Sequence, residues 1–189
     1  MSGASSAAGA PAAGSVALLA RLESINRGVG RVVAWLTLAT VLICFATVYL
    51  RYAVGIGLIW LQESYVWTHA LAILLGSGYS FLSGGFIKVD MVYNRLSERG
   101  RAWVDLGGCI VFLAPFITMI AFSGWSFFIS SWRMAERSAY EGGLPGLYVL
   151  KGMLMVFAAL VALQGIAMAL RATLVLRGID AAPQGAGEH

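Results

Sequence analysis

Arg51, Glu63 and His69 are ionisable side chains in or beside apolar stretches of the sequence, where a charge needs a partner. Eleven residues separate Arg51 from Glu63, and they include Gly55 and Gly57, so a tight turn brings the two charges together. A lone charge at the centre of a bilayer costs about 2.5–3.5 kcal/mol on insertion scales, and pairing relieves that cost. We therefore predict a structural Arg51–Glu63 ion pair. Two alternatives stay open: Glu63 takes part in proton or cation coupling, or the charges of Arg51 and Glu63 are both solvated.

His69 is a candidate haem ligand only if a second histidine faces it. A membrane cytochrome b typically takes two histidines from facing helices, and the only other histidine is His189 in the C-terminal tail. We predict that His69 is a hydrogen-bonded packing residue. The sequence also contains no Ser–His–Asp set, no HExxH, no P-loop and no GxGxxG between a strand and a helix. We expect no enzyme activity and no cofactor or metal site in this chain.

The composition is that of a membrane protein. Of 189 residues, 59% are hydrophobic and only 12% are charged, and the mean hydropathy is +0.80. Soluble domains carry roughly twice that share of charged residues. The net charge of +4 comes without a long basic cluster, so nucleic acid is not the expected partner. Cys44 and Cys109 lie in apolar runs without a CxxC motif, and we interpret both as small hydrophobic residues.

Four apolar stretches are long enough to cross a bilayer as helices, which takes about 20 residues each. Backbone groups in lipid must bond within their own segment, so these stretches are predicted helices. The sequence therefore predicts an all-α integral membrane protein with four transmembrane helices in residues 16–178 and disordered tails at 1–15 and 179–189. The predicted spans are 29–50, 59–82, 103–131 and 147–170.

Lysine and arginine residues predict the orientation, because they collect on the cytoplasmic side of membrane proteins. Nine of the 13 lie on one side of the spans and four on the other, so we predict that both termini and the middle loop are cytoplasmic. Two stretches on that side have apolar residues at helical spacing beside basic ones, and each is predicted to form a short amphipathic helix at the interface. The first stretch contains Leu18, Leu22, Ile25 and Val29, and the second contains Phe86, Val89, Tyr93 and Leu96.

Small residues recur four apart within the second and fourth predicted spans. They are, in the second span, Ala72, Gly76 and Ser80, and in the fourth span Ala158 and Ala162, then Gly165 and Ala169. Such faces let helices approach closely, either within one chain or against a larger partner, and the pattern alone does not separate these cases. Gln164 lies beside Gly165 and is expected to hydrogen-bond across a helix pair.

Several short motifs follow one another in a specific order along the spans. Arg51 closes the first span, the run from Trp60 to Glu63 opens the second, and Gly-Gly-Phe-Ile-Lys-Val-Asp follows at 84–90. In this order, over about residues 25–177, the chain resembles the small permease subunit of tripartite ATP-independent periplasmic (TRAP) transporters, particularly the branch for mannitol, chloroaromatic and other organic-acid-type solutes. The other residues that carry the resemblance are Lys88, Asp90, Trp132, Glu136, Ser138, Gly143, Pro145, Lys151 and Gln164.

This resemblance implies a non-catalytic subunit of a secondary active uptake transporter in the bacterial inner membrane. Its partners would be a larger permease, which holds the substrate and sodium sites and moves as an elevator, and a periplasmic solute-binding protein. The small subunit would enlarge the static scaffold and help to dock the binding protein, with Glu136 and Arg137 as candidate contacts or as plain solvated charges. Gln62 and Phe86 depart from the family pattern, which usually has an acid and a histidine at these positions.

Two other functional classes stay open at this point. A membrane anchor of an oxidoreductase would need haem or quinone sites. A small stand-alone four-helix exporter would carry its essential glutamate in the first span, whereas Glu63 lies in the second, and such exporters have shorter loops.

Overall fold

The computed structural model of the protein describes residues 9–83 and 95–179, and most of these residues are helical. Two five-residue π-helical segments interrupt the regular helices: Leu50–Val54 follows the first helix, and Cys109–Leu113 joins the third to the fourth. The predicted all-α class is thus confirmed for the described residues. The helices are α1 (Gly9–Tyr49), α2 (Ile59–Leu82), α3 (Glu98–Gly108), α4 (Ala114–Arg133) and α5 (Leu147–Leu176).

Three helical stretches among the described residues are long and apolar enough to cross a membrane: Gly14–Val54, Glu98–Arg133 and Leu147–Leu176. The bounds of α2 coincide with the second predicted span, and its 24 residues are sufficient for a crossing. Its first half contains Gln62, Glu63 and His69, whose polar side chains lower its mean hydropathy below that of the other three stretches. The chain is therefore a membrane protein by the length and composition of its helices.

The first helix is longer than the sequence indicated. A separate amphipathic helix before residue 29 was expected, but α1 runs from Gly9 to Tyr49 without a break. Leu18 and Ile25, which belong to the predicted apolar face, are 50% and 47% exposed, whereas the polar Glu23 is only 4% exposed. The prediction of a separate first interfacial helix is wrong. Polar side chains on this part of α1 bond to side chains of α5, so this part packs on the bundle as a continuation of α1. The described part of the chain begins with α1 at Gly9, and the disordered tail at 1–15 stays a prediction.

Glycine and proline explain where two helices change course. Gly55 adopts φ 76° after the π-helical segment, and the amide of Ile56 donates to the carbonyl of Leu50 at 3.0 Å. This left-handed residue ends the helix, as glycine commonly does. Pro115 stands at the start of α4 and has no amide hydrogen, so the regular helical bond pattern cannot pass through it. The preceding π-helical turn accommodates this gap, and α3 and α4 form one rod of 36 residues.

Helix α5 is the centre of the bundle and contacts each of the other four helices. Small residues allow these contacts. A Cβ atom at Gly165 would lie 2.7 Å from Leu113 Cδ2, and one at Gly76 of α2 would lie 3.1 Å from Val33 Cγ1 of α1. The small-residue faces in these two helices therefore pack helices within the chain. Ala72 of α2 and Ala158 of α5 are also buried.

The outward surface of the bundle is apolar and aromatic. Trp35 of α1 is 73% exposed, and Phe122 of α4 is 83% exposed. A small monomer in water rarely exposes so many large apolar side chains. In a membrane, lipid tails or a second membrane protein would cover them. The surface therefore fits a bundle surrounded by hydrocarbon.

Candidate functional site

The connection between α4 and α5, residues 134–146, is folded, and we call it the outer loop because the sequence predicts it on the side opposite the termini. The amide of Ser138 donates to the carbonyl of Leu144 at 3.3 Å, and Arg137 and Pro145 form an antiparallel bridge. Gly142 at φ 79° and Gly146 at φ 91° supply the left-handed turns that this path requires. The outer loop thus has its own internal hydrogen bonds.

Glu63 attaches the outer loop to the first turns of α2. Its Oε1 accepts a hydrogen bond from the Ser138 hydroxyl, and its Oε2 accepts one from the Leu144 amide at 2.6 Å. A Cβ atom at Gly143 would lie 2.8 Å from Glu63 Oε1 and would also clash with the Ser138 hydroxyl, so the absence of a side chain there permits the approach. We call Glu63, Ser138, Gly143 and Leu144 the outer cluster.

A second attachment joins the outer loop to α5. Lys151 Nζ lies 2.5 Å from Glu136 Oε2 and 4.0 Å from the centre of the Phe127 ring. The Glu136 carbonyl also accepts a hydrogen bond from the Leu147 amide at 3.0 Å. The Lys151 ammonium stabilises the ionised carboxylate and lowers the pKa of Glu136 below its usual value. The charge of Glu136 is therefore directed at its own chain, whereas Arg137 is exposed.

The predicted Arg51–Glu63 ion pair is wrong. Arg51 lies in the π-helical segment after α1 with its side chain exposed, and both carboxylate oxygens of Glu63 are bound by donors of the outer loop. The reason is geometric: Ser138 and Leu144 follow Glu63 by 75 and 81 residues, and only the packing of α5 on α2 brings their loop over the carboxylate.

Of the remaining motif residues, Trp60 and Trp132 lie at this end of the bundle, and Gln164 lies at the other end. Trp132 contacts Tyr148 edge to face, with ring centroids 5.0 Å apart, and so packs the end of α4 on the start of α5. Trp60 lies in the first turn of α2 and is 47% exposed. Lys88, Asp90 and the second predicted interfacial helix lie outside the described residues, except for Leu96 at its end.

At the opposite end of the bundle, buried polar side chains join α1 to α5. Asn26 Nδ2 donates to Gln164 Oε1 at 2.8 Å, and the two residues are 0% and 2% exposed. The hydrogen bond expected of Gln164 across a helix pair is therefore present. Glu23 forms an ion pair with Arg171 of α5 and, at 3.2 Å, with Arg27 one turn away. We call Glu23, Asn26, Gln164 and Arg171 the inner cluster.

Sequence reasoning missed Glu23, Asn26 and Arg171. The i,i+4 spacing of Glu23 and Arg27 was visible, but it favours an exposed helical pair as readily as a buried one. A better signal is Gly78 on α2, where a Cβ atom would lie 2.5 Å from Asn26 Oδ1. A glycine near the end of a span indicates a close approach, although the sequence does not say to which residue.

His69 lines a groove between α1 and α2 with a volume of about 340 Å³. The surface that lines the groove is almost entirely apolar, and the Thr40 hydroxyl donates to that of Thr68 at 2.9 Å. Within residues 9–83 and 95–179, no three His, Cys, Asp or Glu side chains form a group that would hold a metal ion. The packing role of His69 stays a prediction. The groove is lined by Thr40, Val41, Cys44, Tyr65, Val66 and His69.

One comparison with known proteins identified a family. A family model described as tripartite ATP-independent periplasmic transporters, DctQ component, matches residues 40–174. The match covers 135 of the 189 residues, about 71% of the chain, and contains the outer loop and all but the last two residues of α5. Searches of curated proteins and of solved structures each found no match.

Proposed function

Because the chain belongs to the DctQ component family of tripartite ATP-independent periplasmic transporters, and is thus a small permease subunit, we propose that it works as the static brace of a larger permease. In this proposal it carries no cargo. It enlarges the scaffold against which the large subunit moves, and its outer loop helps to dock the periplasmic binding protein. The observation that carries the proposal is the pair of polar clusters that fix both ends of the bundle.

A brace must resist deformation, and the inner and outer clusters supply that resistance. The inner cluster joins α1 to α5 through a charge pair and a buried amide pair. The outer cluster joins the loop before α5 to α2. Hydrogen bonds between membrane helices are worth roughly 0.6–2 kcal/mol each, so several together favour a single helix arrangement. Between these clusters the exposed apolar surface is available to lipid and to the large subunit.

The bundle crosses the membrane four times in this proposal, with both termini in the cytoplasm. What supports the fourth crossing is the course of α2, which begins at the outer cluster with Glu63 and reaches the inner cluster at Gly78. Its 24 residues extend about 36 Å at 1.5 Å per residue, against a hydrocarbon core of about 30 Å. The excess of lysine and arginine at the inner end supports the orientation.

Labelling of single cysteines tests this topology. In a variant with Cys44→Ala and Cys109→Ala, we expect Gly57→Cys and Glu141→Cys to react with a membrane-impermeant maleimide in intact spheroplasts. Glu98→Cys and Arg177→Cys should react only after lysis. Labelling of Gly57→Cys only after lysis would place the start of α2 on the cytoplasmic side and would contradict four crossings.

Energy coupling and cargo follow from the family membership as further proposals. The transporter takes up an organic acid in the bacterial inner membrane and is driven by the sodium gradient, with the sodium and solute sites in the large subunit. The cargo branch for mannitol, chloroaromatic and related solutes remains a prediction from the sequence motifs.

Docking of the binding protein is proposed for the exposed side of the outer loop. Arg137 is exposed there, whereas Glu136 is engaged by Lys151. Arg137→Glu should weaken uptake that depends on the binding protein and leave assembly with the large subunit intact. Unchanged uptake and unchanged affinity for the binding protein would remove Arg137 from the docking surface.

A further inference from the structure

The outer cluster contains an uncommon arrangement, because a carboxylate on a membrane helix is bound by neutral donors of a distant loop. Glu63 comes from the first turns of α2, and its two oxygens accept from the Ser138 hydroxyl and the Leu144 amide. Hydrogen bonds to an ionised acceptor are roughly twice as strong as neutral ones. Glu63 is therefore the side chain that fixes the outer loop to α2, while Lys151 fixes its start to α5.

We propose that Glu63 is the positioning residue of the docking surface: it holds the outer loop in the one conformation that the periplasmic binding protein recognises. This inference rests on the proposed function, since it assumes that the outer loop meets the binding protein. In this role Glu63 does not touch the binding protein or the solute, and it acts through Ser138 and Leu144.

The backbone of the outer loop explains why it needs this support. Ala135 adopts φ 46°, a left-handed conformation that costs a residue with a Cβ atom about 1 kcal/mol or more. Gly142 and Gly146 adopt φ values of 79° and 91°, and glycine gives the free loop many alternative conformations. A loop with such freedom spends only part of its time in the binding conformation unless a contact from elsewhere selects it.

The chemistry of the cluster requires a carboxylate in particular. Both Glu63 oxygens face hydrogen donors, and a carboxylate offers acceptors on both sides. A glutamine offers one acceptor oxygen and presents an NH₂ group to the other donor. Gly143 permits the same contact because it has no side chain: a Cβ atom there would lie 2.8 Å from Glu63 Oε1.

The experiment compares Glu63→Gln, Ser138→Ala and Gly143→Ala in vesicles that contain this chain together with its large permease. The readout is the concentration of solute-loaded binding protein that gives half-maximal uptake. A loop in the binding conformation one tenth of the time would raise that concentration about tenfold. We expect the maximal rate and the yield of the two-subunit complex to stay near wild type, and amide hydrogen exchange in residues 134–146 to become faster.

Two matched controls isolate the contact. Glu141→Gln removes an exposed carboxylate from the same loop, and Gly57→Ala adds a methyl group at the outer end where nothing lies within 4 Å. Both should leave the half-maximal concentration unchanged. If Glu63→Gln, Ser138→Ala and Gly143→Ala instead lower only the yield or the maximal rate, the positioning role is overturned and Glu63 is merely structural.

The failure of this inference is distinguishable from the failure of the proposed function. Wild-type vesicles that respond to the binding protein, with a Glu63→Gln variant that behaves identically, would overturn the positioning role alone. Wild-type vesicles that take up solute without any dependence on the binding protein would overturn the docking function and the positioning role together.

Discussion

The inner and outer clusters both fix parts of the bundle through polar contacts, but they join different kinds of elements. The inner cluster joins helix to helix, through an ion pair and an amide pair whose members Asn26 and Gln164 are at most 2% exposed. The outer cluster joins a loop to a helix, through one half-buried carboxylate. We infer that the inner cluster contributes to the stability of the helix bundle, whereas the outer cluster sets the conformation of the outer loop. Substitutions at the inner end should therefore affect stability, and those at the outer end should affect recognition.

The largest effect is expected from Glu23→Ala in the inner cluster. This change leaves the Arg171 guanidinium, which is 27% exposed, without the carboxylate that binds it. Removal of one partner from a buried pair costs 3–5 kcal/mol, and we expect about 3 kcal/mol because Arg171 is partly exposed. Thermal unfolding of the purified chain in detergent measures the effect. Glu141→Ala is the matched control, with an expected change below about 0.5 kcal/mol. Equal effects of the two changes would contradict the assignment of the inner cluster.

The amide pair should follow with a smaller effect. Gln164→Leu leaves the fully buried Asn26 without its hydrogen-bond partner, at a cost of about 1–2 kcal/mol. The double variant Asn26→Leu/Gln164→Leu tests the interaction between the two amides. Its loss of unfolding free energy should be smaller than the sum of the two single losses. A coupling energy of roughly 0.6–1.7 kcal/mol is expected from unfolding measurements on all four proteins. Strict additivity would mean that the two amides do not interact in the membrane protein.

Two glycines near the inner end should respond to alanine with opposite signs. Gly78→Ala places a Cβ atom 2.5 Å from Asn26 Oδ1 and 3.3 Å from Leu160 Cβ, so we expect a loss of about 1–2 kcal/mol. Gly28→Ala in α1 adds a methyl group with nothing within 4 Å, and the higher helix propensity of alanine should gain about 0.5–1 kcal/mol. Melting temperatures of the two variants test this pair. A stabilising Gly78→Ala would show that α2 and α1 are farther apart there.

The smallest effect concerns pH and the second attachment of the outer loop. Lys151 lowers the pKa of Glu136 in the folded chain below its usual value of about 4.5. A carboxyl whose pKa is lowered on folding stabilises the fold above its unfolded pKa, and this contribution is lost as the pH falls through the lowered value. The melting temperature of wild type should therefore exceed that of Glu136→Gln at neutral pH, and the difference should shrink below about pH 4.5. A difference that grows on acidification would contradict the ion pair.

Features that depend on local sequence patterns could be predicted, whereas contacts between distant parts of the chain could not. The bounds of α2 coincide with the prediction because an apolar run between turn-forming residues is a local pattern. The start of α5 at Leu147 was predicted for the same reason, but α5 continues six residues past residue 170. The predicted span ends one residue before Arg171, whereas in the structure Arg171 lies within α5 and forms an ion pair with Glu23 of α1.

Both site errors arose from partners that are far away in sequence. Arg51 was assigned to Glu63 because it is near in the chain, but the partners of Glu63 follow it by 75 and 81 residues. Likewise Glu23 and Asn26 lie in the stretch that was predicted to form an interfacial helix, and their partners Arg171 and Gln164 are on α5. A polar side chain in an apolar protein indicates that a partner exists, and only the helix packing identifies it.

If this chain braces a transporter and moves no cargo itself, uptake requires both subunits. The measurement is uptake of the solute carried by the binding protein, in vesicles with a sodium gradient, for three preparations: this chain alone, the large permease alone, and the two subunits together. We expect uptake only with both subunits, and no haem absorbance in the purified chain. Uptake by this chain alone would show that it moves cargo, and full uptake by the large permease without it would show that no brace is needed.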